Sequence, residues 1–231
     1  MTLFYQSEIS NGTLHLDEEE SRHAVKVLRL REGDSLEITN GKGGWYRASL
    51  AKADQKRCSF VIQETRLIPP RQFSVALALA PTKNHDRMEW FVEKSVEVGL
   101  EKILFFESRH SERKSINLTR LSKIAVSAMK QSGQCWLPEI HAPQPFAKIL
   151  NQDYDQKFIC HVDPENPRLL KYEAVPGKAY LVLIGPEGDF SPDELELATR
   201  SGFIKVGLGP SRLRTETAAL SACQTLNFIN L

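Results

Sequence analysis

The sequence predicts an α/β protein in which a small β-rich region precedes a larger region of alternating strands and helices. The first 70 residues contain short runs of alternating polar and apolar residues, separated by glycine-rich or polar turns. Two consecutive prolines, Pro69 and Pro70, then favour an extended, stiff connection. Beyond them, continuous apolar segments alternate with amphipathic helices, which is typical of a parallel sheet.

The composition restricts the classes of protein to which the chain can belong. Of its 231 residues, 41% are hydrophobic and 26% are charged, which is typical of a soluble globular protein of one or two domains. The formal net charge is only +1, so an RNA partner would have to meet a local patch of positive charge. No apolar run approaches the length of a membrane span, and no secretory signal is visible. We therefore expect a cytoplasmic protein that does not contact membranes.

The four cysteines predict neither disulfides nor a metal site. They form no C-x-x-C pair and lack the spacing of metal ligands, which is typical of reduced cytosolic thiols. They are Cys58, Cys135, Cys160 and Cys223.

The region before the prolines predicts a small barrel of short strands. Residues 36–39 alternate between apolar and polar side chains, and residues 40–44 (NGKGG) are a strong turn signal. Residues 45–51 and 58–64 predict two further strands joined by a polar turn. Short strands at this spacing are typical of a small β-barrel.

A short helix is predicted within this region, over residues 21–30. Arg22, Lys26 and Arg29 are spaced at i, i+4 and i+7, so we expect them to share one face of that helix. A basic stripe of this kind is either a solvated surface or a set of contacts with RNA phosphates. The sequence alone favours the solvated surface.

The larger region begins with a regular alternation of strands and helices. Strands are predicted at residues 73–80, 103–106 and 158–162, and helices at residues 84–99 and 118–132. Basic residues follow the first two strands, at the sheet edge where ligands bind in open α/β folds. They are candidate RNA contacts, with solvated loop charges as the alternative: Lys83, Arg109 and Arg113.

The most informative stretch starts with a strand that runs into a glycine turn. Residues 181–184 are four consecutive aliphatic residues, followed by the turn Gly-Pro-Glu-Gly at 185–188. Ser191 then has the position of a helix N-cap, and Glu194 completes a capping box. Gly202 ends this helix as the residue beyond its C-cap.

A second strand and a second glycine turn follow directly. Residues 203–206 predict the strand, residues 207–210 the turn, and Thr215 or Thr217 the start of the last helix. Glycine lets main chain approach a ligand closely, so two such turns at one sheet edge favour a binding site over ordinary connections. Neither turn has the pattern of a P-loop or of G-x-G-x-x-G, and the chain has no G-x-S-x-G elbow.

Three segments of this stretch closely resemble a known family. They are GPEGDFSPDE at 185–194, GF at 202–203 and LGPSRLRTETAAL at 208–220. They resemble the C-terminal signature of the ribosomal RNA small subunit methyltransferase E family, which methylates N3 of a uridine in 16S ribosomal RNA and belongs to the SPOUT superfamily. The resemblance implies a PUA-like, RNA-binding barrel over residues 1–70 and a SPOUT domain with a deep C-terminal trefoil knot over residues 71–231. It also implies S-adenosylmethionine as cofactor, small-subunit ribosomal RNA as partner, and a homodimer. Within such a family, Arg22, Lys26 and Arg29 are predicted to contact RNA phosphates.

Within that family, the cofactor would be held mainly by main chain at three loops. Apolar walls with a few main-chain hydrogen bonds suit an adenine ring. The predicted cofactor-binding residues are His161, Leu183, Ile184, Gly185, Gly188, Leu208, Gly209, Leu213 and Thr215.

Methyl transfer to a uracil nitrogen also requires a cation and a proton acceptor. We predict that Arg214 is the cation that stabilises the uracil anion formed when the N3 proton leaves. A guanidinium stays protonated in proteins, so Arg214 cannot itself be the base. Glu216 and Glu187 are the candidate bases or orienting groups. The alternatives are structural. Glu216 would simply place a favourable negative charge in the first turn of the last helix, and Glu187 would stabilise the turn at 185–188.

Other functions remain open at this point. One is a SPOUT enzyme acting on transfer RNA, and another is a non-catalytic RNA-binding protein.

Lys130 and Gln134 stand where many members of the family have glutamate and arginine, so the sequence assigns no role to either.

Overall fold

The computed structural model describes residues 2–111, 116–163, 165 and 168–231. The chain divides into two compact units, Met1–Pro70 with Val126–Leu137, and Arg71–Ala125 with Pro138–Leu231. Residues 126–137, which the sequence analysis assigns to the second region, therefore group with the first unit.

The first unit is built on a four-stranded sheet. Its strands are β1 (Leu3–Tyr5), β2 (Ser35–Thr39), β3 (Gly44–Lys52) and β4 (Ser59–Leu67), in the order β1-β2-β3-β4. The β1–β2 pair is parallel and the other two pairs are antiparallel. Inward-facing apolar side chains such as Phe4, Ile38, Leu50 and Phe60 form its core, as the alternating pattern predicts.

The prediction that Arg22, Lys26 and Arg29 share one face of a regular α-helix is wrong. Helix α1 covers Glu18–Arg22 and begins at Asp17, whose side chain accepts a hydrogen bond from the Glu20 N–H at 2.8 Å. A π-helical turn follows at His23–Val27, and its wider spacing breaks the i, i+4, i+7 register. Arg29 lies beyond it at φ 57°.

The three basic residues of this segment are nevertheless exposed, so each remains available to a partner. Arg22 forms a 2.7 Å ion pair with Glu18 one turn earlier. Both side chains are well solvated, so this pair contributes little and competes weakly with a phosphate. Lys26 and Arg29 are the other two exposed cations.

Main-chain hydrogen bonds explain why residues 126–137 belong to the first unit. The Gly43 N–H donates to the Cys135 carbonyl at 2.8 Å, and the Leu137 N–H donates to the Gly41 carbonyl at 2.9 Å. Lys130 contacts the buried Glu20 carboxylate. Burial raises the pKa of Glu20, and the Lys130 ammonium opposes that rise. Lys130 thus has a structural partner within its own unit.

The second unit is a parallel sheet. Its strands are β5 (Ser74–Leu79), β6 (Lys102–Glu107), β7 (Glu139–Ile140), β8 (Gln144–Pro145), β9 (Gln156–Cys160), β10 (Ala179–Ile184) and β11 (Ile204–Val206). The order is β11-β9-β10-β5-β6-β7, with β8 also paired to β6, and every one of these pairings is parallel. Central β10 is buried from Tyr180 to Ile184 because both faces of the sheet are covered.

Helices connect these strands. They are α2 (His85–Val98), α3 (Leu118–Gln131, which passes into the first unit), α4 (Phe146–Leu150), α5 (Leu170–Glu173), α6 (Pro192–Arg200) and α7 (Thr215–Phe228). The C-terminal α7 packs against α2, α5, β5 and β10. The order of alternating strands and helices confirms the predicted α/β class.

Local signals place the helix ends correctly. Asn84 accepts a hydrogen bond from the Asp86 N–H at 2.8 Å, and Gly99 ends α2 at φ 102°. Helix α6 begins with the capping box of Ser191 and Glu194. Gly202 follows it at φ 86°, a conformation that glycine adopts without strain.

Glu194 also holds the loop that follows β6. Its carboxylate accepts hydrogen bonds from the Ser191 N–H at 2.8 Å and the Arg109 N–H at 2.9 Å. Burial raises the pKa of Glu194, but the hydrogen bonds to its carboxylate together outweigh burial and hold that pKa below 4.5. We expect Glu194→Ala to lower the free energy of unfolding by about 2 kcal/mol at pH 7, because two amides lose their acceptor.

The same pKa shift sets the pH dependence of that loss. Because the pKa of Glu194 is lower in the folded than in the unfolded protein, its carboxylate stabilises the fold at pH values above the unfolded pKa of 4.5. This contribution disappears as the pH falls through the folded pKa. The gap in melting temperature between wild type and Glu194→Ala should therefore narrow below pH 4.5. Glu196→Ala, at an exposed position of the same helix, is the control and should have little effect. An equal gap at pH 3 and pH 7 would contradict the assignment.

Candidate active site

A cavity of about 800 Å³ opens at the carboxyl ends of β9, β10 and β11. This is the sheet edge at which the sequence predicts a ligand site. Its walls come from the residue runs that follow the three strands and from the first turns of α7. The lining residues include 160–163, 184–187, 189 and 206–215.

The turn after β10 forms one wall and is packed tightly around Gly185. A Cβ on Gly185 would lie 3.1 Å from the Phe190 ring and 3.3 Å from Asp189 Oδ1, so a larger residue there would displace its neighbours. The Thr215 hydroxyl donates a hydrogen bond to the Gly185 carbonyl at 3.0 Å. This bond fixes the start of α7 against the turn.

The turn after β11 forms a second wall and is open at its centre. Gly209 has φ 145°, and a Cβ there would meet no atom within 4 Å. The Gly207 N–H donates to the Arg168 carbonyl at 2.8 Å, and the Leu170 N–H donates to the Gly207 carbonyl at 3.0 Å. These bonds anchor the base of the turn and leave Gly209 as bare main chain at the cavity.

The end of β9 supplies the third wall. His161 Nδ1 lies 2.9 Å from Asp189 Oδ2, although the pair lacks hydrogen-bond geometry. Burial, and secondly the charge of Asp189, raise the pKa of the neighbouring Cys160 thiol to about 12. The thiol is therefore neutral at physiological pH and contributes an apolar surface rather than a nucleophile.

Three charged residues border the cavity near α7. Arg214 is exposed at the N-cap position of α7, and its side chain has no ion-pair or hydrogen-bond partner among the residues that the structure describes. Arg212 donates from Nη2 to the Glu187 carbonyl at 3.5 Å. Glu187 accepts a hydrogen bond from the Lys83 N–H at 3.3 Å, so its carboxylate links two loops while remaining exposed.

Glu216 lies outside the cavity lining and is buried. Its Oε1 atom is 3.7 Å from Nε of Arg87, in the first turn of α2. Its Oε2 atom is buried without a hydrogen-bond partner in the described part of the chain. Glu216 therefore connects the first turns of two packed helices, and its carboxylate does not face the ligand space.

The structure brings most of the predicted cofactor and catalytic residues together. Those lining the cavity are His161, Ile184, Gly185, Glu187, Leu208, Gly209, Leu213, Arg214 and Thr215. Leu183 does not line the cavity. Successive side chains of β10 point to opposite faces of the sheet, and Leu183 packs into the hydrophobic core on one of them. Gly188 packs against His110 instead, where an added Cβ would lie 3.2 Å from His110 Cβ.

Among the residues that sequence reasoning missed, Asp189 is the most informative. It lines the cavity and contacts His161 from the turn after β10. The sequence carries no signal for this contact because the two residues follow separate strands and meet only in the folded structure.

Two of the candidate RNA contacts of the second unit, Lys83 and Arg109, follow strands at the same sheet edge. Lys83 is exposed and its main chain contacts Glu187. Arg109 forms a 3.0 Å ion pair with Asp193, and both side chains are well solvated. Arg113 lies outside the described residues.

Two searches of the described residues bear on the class of protein. No group of three or more His, Cys, Asp or Glu side chains there is arranged to hold a metal ion. No helix in that part of the chain combines the length and apolar character needed to cross a membrane.

Comparison with known proteins agrees with the geometry of the site. Residues 69–227 match the family described as an RNA methyltransferase domain, and residues 16–63 match an RNA methyltransferase PUA domain. The chain is 33% identical to the ribosomal RNA small subunit methyltransferase E of Buchnera aphidicola, over 97% of this chain and 92% of that protein.

Solved structures give the same result. A probable rRNA methyltransferase from Porphyromonas gingivalis has a TM-score of 0.94 at 40% identity, covering 100% of this chain and 98% of that one. The ribosomal RNA small subunit methyltransferase E of Neisseria gonorrhoeae, bound to S-adenosyl methionine, has a TM-score of 0.87 at 26% identity, with the same coverage. The resemblance seen in the sequence is confirmed, and the chain belongs to the RNA methyltransferase family that contains the ribosomal RNA small subunit methyltransferases E.

Proposed function

We propose that this protein transfers a methyl group from S-adenosylmethionine to N3 of a uridine in 16S ribosomal RNA of the small subunit. The observation that carries the proposal is the cavity at the ends of β9, β10 and β11, which is walled in part by glycine main chain. Arg214 borders this cavity and has no partner among the described residues. The names of the relatives support ribosomal RNA as the substrate, and the Neisseria gonorrhoeae structure supports S-adenosylmethionine as the cofactor.

The residues present fit that cofactor. The cavity of about 800 Å³ is large enough for a molecule of this size, and the neutral Cys160 adds apolar surface beside the polar main chain. At Gly209 the open space beside Cα lets a ligand approach the backbone directly. When bound, S-adenosylmethionine supplies the electrophilic methyl group.

The protein's own residues orient the base and manage its charge. Arg214 stabilises the negative charge that develops on the uracil ring when the N3 proton leaves. Of the two predicted carboxylates, Glu187 is the one that borders the cavity, so it accepts that proton or orients the ring. Glu216, two residues after Arg214, holds the first turn of α7 through its contact with Arg87.

Three architectural features accompany the proposal. The β1–β4 sheet forms a PUA-like barrel that helps to hold RNA, as the PUA match supports. The chain forms a deep trefoil knot in its C-terminal region, where the segment after edge strand β11 returns to pack α7 on β5 and β10. Two copies form a homodimer that acts in the cytoplasm.

Methylation of defined RNAs tests this function. Purified protein is incubated with methyl-labelled S-adenosylmethionine and with 16S ribosomal RNA, small subunits or transfer RNA, all lacking the modification. We expect label in ribosomal RNA at one uridine, mapped by mass spectrometry of nuclease fragments. N3 methylation blocks the pairing edge of the base, so reverse transcription should stop there. Label confined to transfer RNA, or none despite cofactor binding, would overturn the proposal.

A further inference from the structure

Asp189 has a backbone conformation that is uncommon for a residue with a side chain. Its φ is 61°, and Arg29 is the only other non-glycine residue with positive φ in the described chain. Such conformations persist where surrounding contacts hold them, and they cluster at ligand sites. The Asp189 N–H donates to the Pro186 carbonyl at 3.0 Å, and the Asp189 carbonyl lies 3.0 Å from His110 Nδ1.

These contacts direct the carboxylate of Asp189 to the cavity wall. One oxygen, Oδ1, accepts a hydrogen bond from the Phe190 N–H at 2.8 Å and lies beside the bare Cα of Gly185. The other, Oδ2, is 2.9 Å from His161 Nδ1. The Asp189 side chain is 29% exposed and that of His161 is 21% exposed, so both are largely withdrawn from water.

The contact between the two side chains is incomplete. His161 Nδ1 is buried and has no hydrogen-bond partner among the described residues, although Asp189 Oδ2 is close. Asp189 therefore keeps acceptor capacity on Oδ2 and a negative charge at the cavity wall. Burial first, and the charge of Asp189 second, raise the pKa of Cys160 on the neighbouring wall.

A negative charge at this wall distinguishes ligands by their charge. S-adenosylmethionine carries a sulfonium cation, whereas S-adenosylhomocysteine, the product after methyl transfer, has a neutral thioether at that position. Both keep the same amino acid and adenosine groups. A partly buried carboxylate interacts with a cation several ångströms away more strongly than an exposed one would.

We propose that Asp189, whose Oδ2 lies beside His161, is the residue that makes the site prefer the cationic methyl donor over its neutral product. This inference rests on the proposed function. The preference lowers product occupancy during turnover, because the ligand loses its attraction to Asp189 once the sulfonium charge is gone.

Binding measurements on an Asp189→Asn variant test the inference. Asparagine tolerates the left-handed conformation, so the backbone at this position is kept while the charge is removed. Dissociation constants are measured by calorimetry for S-adenosylmethionine, for S-adenosylhomocysteine, and for sinefungin, which has a cationic amine in place of the sulfonium. We expect Asp189→Asn to weaken both cationic ligands on the order of tenfold and the neutral product less than about twofold.

Two further variants complete the test. Asp193→Asn removes an exposed carboxylate outside the cavity and should leave all three affinities unchanged. His161→Gln should reduce the preference for cationic ligands over the neutral product, since Asp189 loses the imidazole that lies beside its Oδ2 atom.

The possible outcomes separate the inference from the proposed function. Equal weakening of all three ligands by Asp189→Asn, or no weakening, would overturn the inference while the function stands. Wild-type protein that binds none of the ligands would overturn both.

Discussion

Arg214→Ala should lower the turnover of methyl transfer by about 100-fold or more, because removing one group that stabilises developing negative charge typically costs this much. Arg214 borders the cavity, and its guanidinium has no competing partner among the described residues, so its full charge is available to the uracil ring. Its side chain is exposed, so the substitution leaves no buried gap. The affinity for S-adenosylhomocysteine should therefore change by less than about threefold, or 0.7 kcal/mol.

Single-turnover methylation with saturating RNA, together with calorimetry of cofactor binding, measures these two effects separately. Arg214→Lys keeps the charge but loses the planar fork of donors, so it should recover part of the rate. Arg200→Ala removes a well-solvated arginine from α6 and should leave the rate unchanged. Full turnover in Arg214→Ala would refute the catalytic assignment, and parallel loss of cofactor binding would place Arg214 in the cofactor site instead.

The elements of the second unit follow from local chemistry, which is why the sequence predicts them well. The aliphatic run at 181–184 lies within β10, and the Ser191 capping box starts α6 as predicted. Each of these signals acts over a few residues, through burial or through a hydrogen bond to the nearest turn. The two glycine turns likewise identify the ligand edge, because strand ends in a parallel sheet meet at one side.

Features that depend on distant contacts escaped prediction. Residues 126–137 group with the first unit because their main chain bonds to the turn at 41–43. The role of Glu216 depends on Arg87, which belongs to another helix. From the sequence, its position near Arg214 made Glu216 a candidate base. Its burial beside Arg87 instead makes it a link between two helices.

The misplaced basic face in the first unit has a different cause. The spacing of Arg22, Lys26 and Arg29 assumes a regular α-helix. The π-helical turn at His23–Val27 changes that periodicity, and no residue in the segment is a helix breaker that would announce it. Ala24, which lies within this turn, packs into the core of the first unit.

Gly209→Val should abolish most cofactor binding, with an affinity for S-adenosylhomocysteine reduced by about tenfold or more, equivalent to at least 1.4 kcal/mol. A valine disfavours φ 145° because its branched Cβ crowds the backbone. If the turn keeps its shape, the side chain enters the open space beside Gly209 at the cavity. If the turn relaxes, the main chain that lines the cavity moves, so both responses damage the same wall.

Gly177→Val provides the matched control for this effect. Gly177 also has positive φ, at 77°, and an added Cβ there meets no atom within 4 Å, but the residue does not line the cavity. Both variants therefore strain a glycine turn, and only one alters the proposed ligand wall. Thermal melting confirms that each variant is folded before calorimetry. Binding retained in Gly177→Val and lost in Gly209→Val would support a cofactor held against the turn after β11. Binding retained in both would exclude that wall from the site, and equal loss in both would trace the effect to general destabilisation of the second unit.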